Sequence, residues 1–467
     1  MAEKNHYHFI GVCGTAMGAV AAAMKAEGIT VTGSDQHVYP PMSTFLERSG
    51  VKIVEGYRAS NIPESADVII IGNTISRGNE EAEEALNRKL LYQSLPEVLK
   101  DQFLRGRRNF VVTGTHGKTT TSAILTWVLQ SAGREPGYMI GGIPANLGRG
   151  AYFTDSEFNV LEGDEYDTAF FDKRSKFLHY LPEFAIINNI EFDHADIYNS
   201  LDEIKLTFRR FLNIVPSGGL AVVNGDDANV LDVIDGAPCP VRTLGFGKRC
   251  DMKIEKVSYK RDGSSFTLAG EDYTIPMVGE FNVRNAAMAV AGGIFAGLKA
   301  DEIRRAFSSF QGIARRQELR GEVRGVKVID DFAHHPTAIK LAVQALRQGY
   351  PDARIWVVFE PRSNTTRRNI FQVELAEALA SADRAVVPAI ADPEKFAEDE
   401  RLDPEQLVRD IDTGGGKGVY LATVEEIAEH VAVETEAGDV VAVLSNGGFG
   451  GLHGILLERL GETAAEG

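Results

Sequence analysis

Short apolar runs recur along the chain, each leading into a glycine-bearing turn and then a longer stretch with helical spacing. Residues 8–10 form the first run. The turn Gly11-Val12-Cys13-Gly14-Thr15-Ala16-Met17-Gly18 follows, then an alanine-rich stretch over 17–27 and a second run at 30–32. Runs at 52–54 and 68–71 continue the alternation, which predicts a parallel sheet with helices on its faces. The same rhythm restarts at 109–113, with a helix over 118–131 and strands at 158–161 and 184–188, then a β-rich stretch over 252–277 and a helix over 283–296. It restarts again with strands at 326–329, 354–359, 384–387 and 440–444. The chain is therefore expected to be α/β throughout, in three domains: a Rossmann-like domain over 1–108, a central P-loop ATPase-type domain over 109–312 and a C-terminal Rossmann-like domain over 313–467. A length of 467 residues suits that division, because a single core stops growing well short of it.

Composition narrows the partners. A formal charge of -17 repels a polyanionic backbone, and no basic stripe with interleaved aromatics offsets it, so nucleic acid is not expected. Only Cys13, Cys239 and Cys250 are present, without a CxxC pair, which fits a reducing compartment. No apolar run is long enough to cross a bilayer, so no membrane partner and a cytoplasmic location are expected.

The strand at 109–113 opens directly into Gly114-Thr115-His116-Gly117-Lys118-Thr119-Thr120 and then a helix. That order is what phosphate binding needs. Glycines let backbone N–H groups converge on the oxygens, the helix N-terminus adds partial positive charge, Lys118 supplies a cation and the Thr119 hydroxyl a magnesium ligand. Val112 stands where the longer form of this loop has its first glycine. Magnesium also calls for a carboxylate near the loop, and Glu162 closes the run Val160-Leu161-Glu162 where a parallel strand would end. Asp164, Glu165 and Asp167 follow it as further candidate ligands, though at least two of them read better as a solvated acidic turn. Another strand end carries Asn188-Asn189-Ile190-Glu191-Phe192-Asp193-His194. In the first domain, Gly11, Gly14 and Gly18 with Asp35 resemble a dinucleotide turn. Cys13 occupies the place of the second glycine, which argues against a hydride-transfer cofactor.

Taken together, T-G-T-H-G-K-T-T at 113–120, E-G-D-E-Y-D at 162–167, N-N-I-E-F-D-H at 188–194, F-N-V-R-N-A at 281–286, A-R-R-Q-E at 314–318 and D-D-F-A-H-H-P at 330–336 resemble the Mur ligases. These are three-domain amide ligases of bacterial cell-wall precursor synthesis. The resemblance implies that Lys118 and Thr119 hold ATP phosphates and magnesium, that Glu162 bridges the metals and that His194 ligates a second one. It implies Asn282 and Asn285 at adenine, Arg316 at the γ-phosphate and Asp331 on the nucleotide side. It also implies that Gly11, Gly14, Thr15, Gly18 and Asp35 grip the pyrophosphate of UDP-N-acetylmuramate. His335 is the candidate base for an attacking amine. Within the family, F-D-K-R-S-K-F at 171–177, F-E-P-R-S-N-T-T-R-R at 359–368 and S-N-G-G-F-G-G-L-H at 445–453 resemble members that attach a murein tripeptide during cell-wall recycling. That places Arg362, Arg367, Arg368, Ser445 and Asn446 around an acceptor with several carboxylates. The expected chemistry is ATP-dependent amide formation through an acyl-phosphate by a monomer or weak homo-oligomer. Two alternatives are a member that adds L-alanine and a nucleotide-gated binding protein that ligates nothing.

Overall fold

The computed structural model describes residues 5–195 and 197–462. The chain divides into two units, described separately: residues up to 191 with 201–253 and 287–306, and residues 192–200, 254–286 and 307 onward.

The first unit holds two large sheets and a two-stranded hairpin among its described residues. Strands β1 (His6–Ile10), β2 (Thr30–Asp35), β3 (Lys52–Glu55), β4 (Val68–Ile71) and β5 (Tyr92–Ser94) form a parallel sheet in the order β3-β2-β1-β4-β5. The order reverses between β1 and β4, and such a switch point leaves a crevice beyond the carboxyl ends of the strands. The sequence of β4, Val-Ile-Ile-Ile, is fully buried, as expected for a strand with both faces covered.

The second sheet is built from β6 (Arg108–Thr113), β7 (Gly137–Met139), β8 (Ala151–Tyr152), β9 (Phe158–Glu162), β12 (Pro182–Ile187), β13 (Leu220–Asn224), β14 (Val241–Gly245) and β15 (Met252–Lys253). Its order is β15-β14-β13-β12-β6-β9-β7-β8, and only the β7–β8 pair is antiparallel. Here β10 (Asp167–Ala169) and β11 (Asp172–Ser175) form a separate antiparallel hairpin. β6 lies at the centre, flanked by β9 and β12, so the loops after all three converge. Helix Lys118–Ser131 begins where the glycine turn predicts. Strands β13 and β14, not among the expected elements, extend the sheet beyond β12.

The second unit contains an antiparallel sheet of β16 (Glu255–Lys260), β17 (Gly263–Leu268) and β18 (Glu271–Ile275). It also holds a sheet of β19 (Glu318–Val323), β20 (Val326–Asp331), β21 (Ile355–Phe359), β22 (Arg384–Val387), β23 (Gly418–Tyr420) and β24 (Val440–Leu444), ordered β19-β20-β24-β21-β22-β23. Only β19 runs antiparallel there. One face packs Ile355, Val357 and Phe359 against helices around Ile339 and Leu375, and the other packs Trp356 and Val358 against Ile427 and Leu456. Each such side chain contributes about 1.5–3 kcal/mol by leaving water.

Candidate active site

Backbone geometry makes the phosphate loop. Gly114 has φ +126° and Gly117 φ +79°, both in the region L-residues avoid. A Cβ at Gly114 would also lie 3.0 Å from the backbone nitrogen of Asn189. The loop is braced by the strand end beside it. The Asn189 carbonyl accepts from the Thr115 N–H at 3.1 Å, its side-chain oxygen accepts from the His116 N–H at 2.7 Å, and the Asn188 amide donates to Thr121 Oγ1 at 3.2 Å. His116 Nε2 sits 3.3 Å from Glu191.

Lys118 Nζ donates to the carbonyls of Gly114 at 2.8 Å and Thr115 at 3.2 Å, and pairs with Glu165 at 2.8 Å. Burial alone would lower its pKa, but Glu165, Asp164 and Glu162 outweigh that and hold it above the ordinary lysine value, so it stays cationic. Thr119 Oγ1 donates to Glu162 at 2.9 Å, and the other Glu162 oxygen accepts from the Gly141 N–H at 2.6 Å. A hydroxyl and a carboxylate side by side at a helix N-terminus are the hard oxygen donors that magnesium prefers.

The solvated acidic turn expected after Glu162 is corrected by the structure. Glu165 is buried against Lys118. Asp164 pairs with Lys176 at 2.9 Å, and Lys173 pairs with Asp167. Burial pushes the Asp164 carboxyl up, yet Lys176 and Lys118 more than offset it and leave it below the usual range. Opposite charges converge here, and this pattern has no sequence periodicity to reveal it.

A cavity of about 520 Å³ is lined by Glu162, Asp164, Lys176, Thr168 and Tyr180, by Met139–Ile143, and from the first sheet by Gly14–Met17 and Gly72–Thr74. Gly14 and Thr15 begin helix Thr15–Ala26, whose first turn has no acidic residue, so its free N–H groups suit an anion. Gly11, Gly18 and Asp35 do not line the cavity. Asp35 accepts from the N–H groups of Cys13 at 2.8 Å and His37 at 3.1 Å, and a Cβ at Gly18 would lie 2.6 Å from Met42 Sδ. Asp35 thus ties the second strand end to the glycine turn. Burial and the Asp35 carboxylate raise the Cys13 thiol to about 11, so it stays protonated.

In the second unit, His194 has φ +56°, and its N–H donates to the buried Asp193 at 2.7 Å. Burial opposes ionisation of Asp193, but His194, His335 and His334 prevail and lower its pKa. His335 is buried, its Nδ1 accepts from the Thr337 N–H that begins helix Pro336–Gly349, and its Nε2 faces the Phe192 carbonyl at 3.2 Å. Both ring nitrogens are engaged by backbone, which fixes the tautomer and makes His335 a helix cap.

The Arg316 guanidinium lies over the Phe332 ring at 4.6 Å. Asp331 ends β20 and accepts from the N–H groups of Gln317 at 2.9 Å and Ala333 at 2.8 Å; burial raises its pKa against the pull of Arg316. Asn282 and Asn285 are buried on helix Glu280–Phe295, and the Asn282 amide donates to the Val278 carbonyl at 2.8 Å. At the carboxyl ends of β24 and β21, the Ser445 hydroxyl donates to Glu360, the Gly447 N–H donates to Ser445 at 2.8 Å, and Arg362 lies against Gly447. Arg367 and Arg368 instead stack over Phe396. Asn446 stands beside Ser445, its side-chain oxygen buried.

Comparisons with known proteins cover nearly all of the chain. Residues 6–107 match the catalytic domain of the Mur ligase family, 112–293 the Mur ligase middle domain and 315–447 the glutamate ligase domain. The UDP-N-acetylmuramate--L-alanyl-gamma-D-glutamyl-meso-2,6-diaminoheptandioate ligase of Escherichia coli (strain K12) is 40% identical over 464 residues, covering 98% of each chain. The UDP-N-acetylmuramate--L-alanine ligase of Desulforapulum autotrophicum is 31% identical, over 98% of this chain and 100% of that one. A crystal structure of a murein peptide ligase from Psychrobacter arcticus 273-4 superposes with a TM-score of 0.69 at 35% identity, covering 98% of each chain.

Proposed function

The chain belongs to the Mur ligase family, and from that premise we propose that it joins L-alanyl-γ-D-glutamyl-meso-diaminopimelate to UDP-N-acetylmuramate at the expense of ATP, in cell-wall recycling. The supporting observation is that Glu162 belongs to two structures at once. It accepts from Thr119 in the phosphate loop and lines the cavity that the Gly14–Thr15 helix end also lines. A nucleotide sugar whose diphosphate rests on that helix end can bring its carboxylate to the side of Glu162 where ATP phosphates are held.

Thr119 and Glu162 fit magnesium, and His194 is the proposed ligand of a second ion. When bound, the metal offsets charge on the phosphates. Lys118 holds the phosphate oxygens, Arg316 carries a further cation to the γ-phosphate, and Asn282 and Asn285 face adenine. The donor carboxylate attacks the γ-phosphorus as the bond to ADP breaks; the tripeptide amine then attacks the acyl carbon, and as the C–O bond to phosphate breaks the proton lost by the amine nitrogen leaves with the phosphate. Positioning and charge stabilisation carry the rate. We assign the nucleotide sugar to 1–108, ATP to 109–312 and the acceptor to 313–467, with Arg362 and Ser445 as its contacts. His335, capped into backbone on both sides, has no proton-accepting role in this scheme.

The test is phosphate release from ATP with magnesium and UDP-N-acetylmuramate, comparing the tripeptide, L-alanine and no amine, with the amide identified by mass. Product with the tripeptide alone is expected. Product with alanine would transfer the assignment to the alanine-adding reaction, and amine-independent hydrolysis would indicate a nucleotide-gated binding protein.

A further inference from the structure

We infer that Lys176 is the side chain that takes the carboxylate of the acyl donor inside the cavity. The inference rests on the function proposed above and names the residue that recognises the reacting group. Electrostatics supply the first reason. Glu162 and Asp164 both line the cavity, and a donor arriving there brings a carboxylate of its own, which like charge disfavours unless a cation stands beside it. Lys176 is the only Lys, Arg or His among the described lining residues. Lys118 is turned to the phosphate loop and Glu165, where ATP needs it.

Placement supplies the second reason. Lys176 opens a short 3-10 turn, Lys176–His179, directly after the β10–β11 hairpin. The hairpin is fixed from several sides. Asp172 takes two N–H groups of the Arg174 guanidinium, at 2.9 and 2.7 Å, and His179 Nε2 at 3.0 Å. The Ser175 hydroxyl donates to the Glu165 carbonyl at 2.8 Å, and the Lys176 N–H to the Tyr166 carbonyl at 3.2 Å. The side chain of Lys176 retains 22% exposure, and Asp164 takes one of its three N–H donors. The ammonium is thus pre-positioned with donors for an incoming anion.

The reaction explains the benefit. The donor oxygen that bonds to the γ-phosphorus loses charge, while the second oxygen becomes the carbonyl of the acyl-phosphate and gains charge again when the amine adds. An ammonium beside that second oxygen offsets its charge in both stages. It discriminates donors by the acid group itself.

Binding of UDP-N-acetylmuramate and UDP-N-acetylglucosamine, which lacks the lactyl acid, separates this role from a structural one. Titrations use the full chain with magnesium and a non-hydrolysable ATP analogue. The native chain is expected to prefer the acid by about tenfold or more, the scale of a hydrogen bond to a charged group. Lys176→Met should erase that preference while leaving affinity for UDP-N-acetylglucosamine unchanged, and Lys176→Arg should restore most of it. Retained preference in Lys176→Met overturns the inference. So does equal weakening of both nucleotides, which would mean that Lys176 only neutralises Asp164. If Lys176→Met does not fold, Lys176→Gln makes the same comparison. A native chain that binds neither nucleotide overturns the proposed function, and this inference with it.

Discussion

The Thr119 hydroxyl donates to the Glu162 carboxylate at 2.9 Å, joining the first turn of the phosphate-loop helix to the end of the neighbouring strand β9. Glu162→Gln keeps an acceptor for Thr119 but removes the charge that a cation needs. Turnover is expected to fall by about 100-fold or more, with a raised magnesium requirement. Magnesium titrations of initial rate check this, and chelation should stop the native enzyme reversibly. A variant with the native magnesium curve would remove Glu162 from the metal site.

Lys118 and Glu165 are both shielded from water and 2.8 Å apart, so one depends on the other. Lys118→Met should cost turnover about 10²–10³-fold. It should also destabilise the fold by roughly 3–5 kcal/mol, because a buried carboxylate loses its counter-charge. Adding Glu165→Gln should recover stability and not turnover. Urea midpoints beside phosphate-release rates test both halves, and an undiminished midpoint in Lys118→Met would show that the pair is not coupled.

A Cβ at Gly447 would fall on the Arg362 side chain, which is half exposed and can move away at little cost. Gly447→Ala should therefore preserve the melting temperature but raise KM for the tripeptide, by as much as Arg362→Ala does. Unchanged KM in both variants would take Arg362 out of the acceptor site.

Asp172 is held down at about 2 by its hydrogen bonds to Arg174, with burial opposing and His179 assisting. Its folded pKa is below its unfolded value, so its stabilisation is fully present above pH 4 and is lost as pH falls towards 2. That amounts to about 2 kcal/mol at neutral pH. The urea-midpoint gap between the native chain and Asp172→Asn should stay level from pH 8 to 5 and narrow below pH 4. A gap that stays level down to the lowest pH at which the fold survives would contradict this assignment.

Much of the fold is legible in the chain because parallel strands buried on both faces read as apolar runs. Val68–Ile71, Arg384–Val387 and Val440–Leu444 appear where the pattern puts them, as does helix Lys118–Ser131. Strands Leu220–Asn224 and Val241–Gly245 are missed; the second, Val-Arg-Thr-Leu-Gly, has neither an apolar run nor a two-residue alternation and takes its place through pairing with its neighbour.

The alternation of strands and helices, the phosphate loop and the family are written in the chain, because glycine turns, helix starts and motif spacing are local properties of it. Folding alone settled the charge pattern around them. It turned Glu165 inward to Lys118, made His335 a cap, tied Asp35 to the glycine turn and placed Lys176 on the cavity wall beside Asp164. Distance along the chain explains this: Lys118 and Glu165 are 47 residues apart, so which carboxylate meets which cation depends on β6 and β9 pairing and bringing their following loops together.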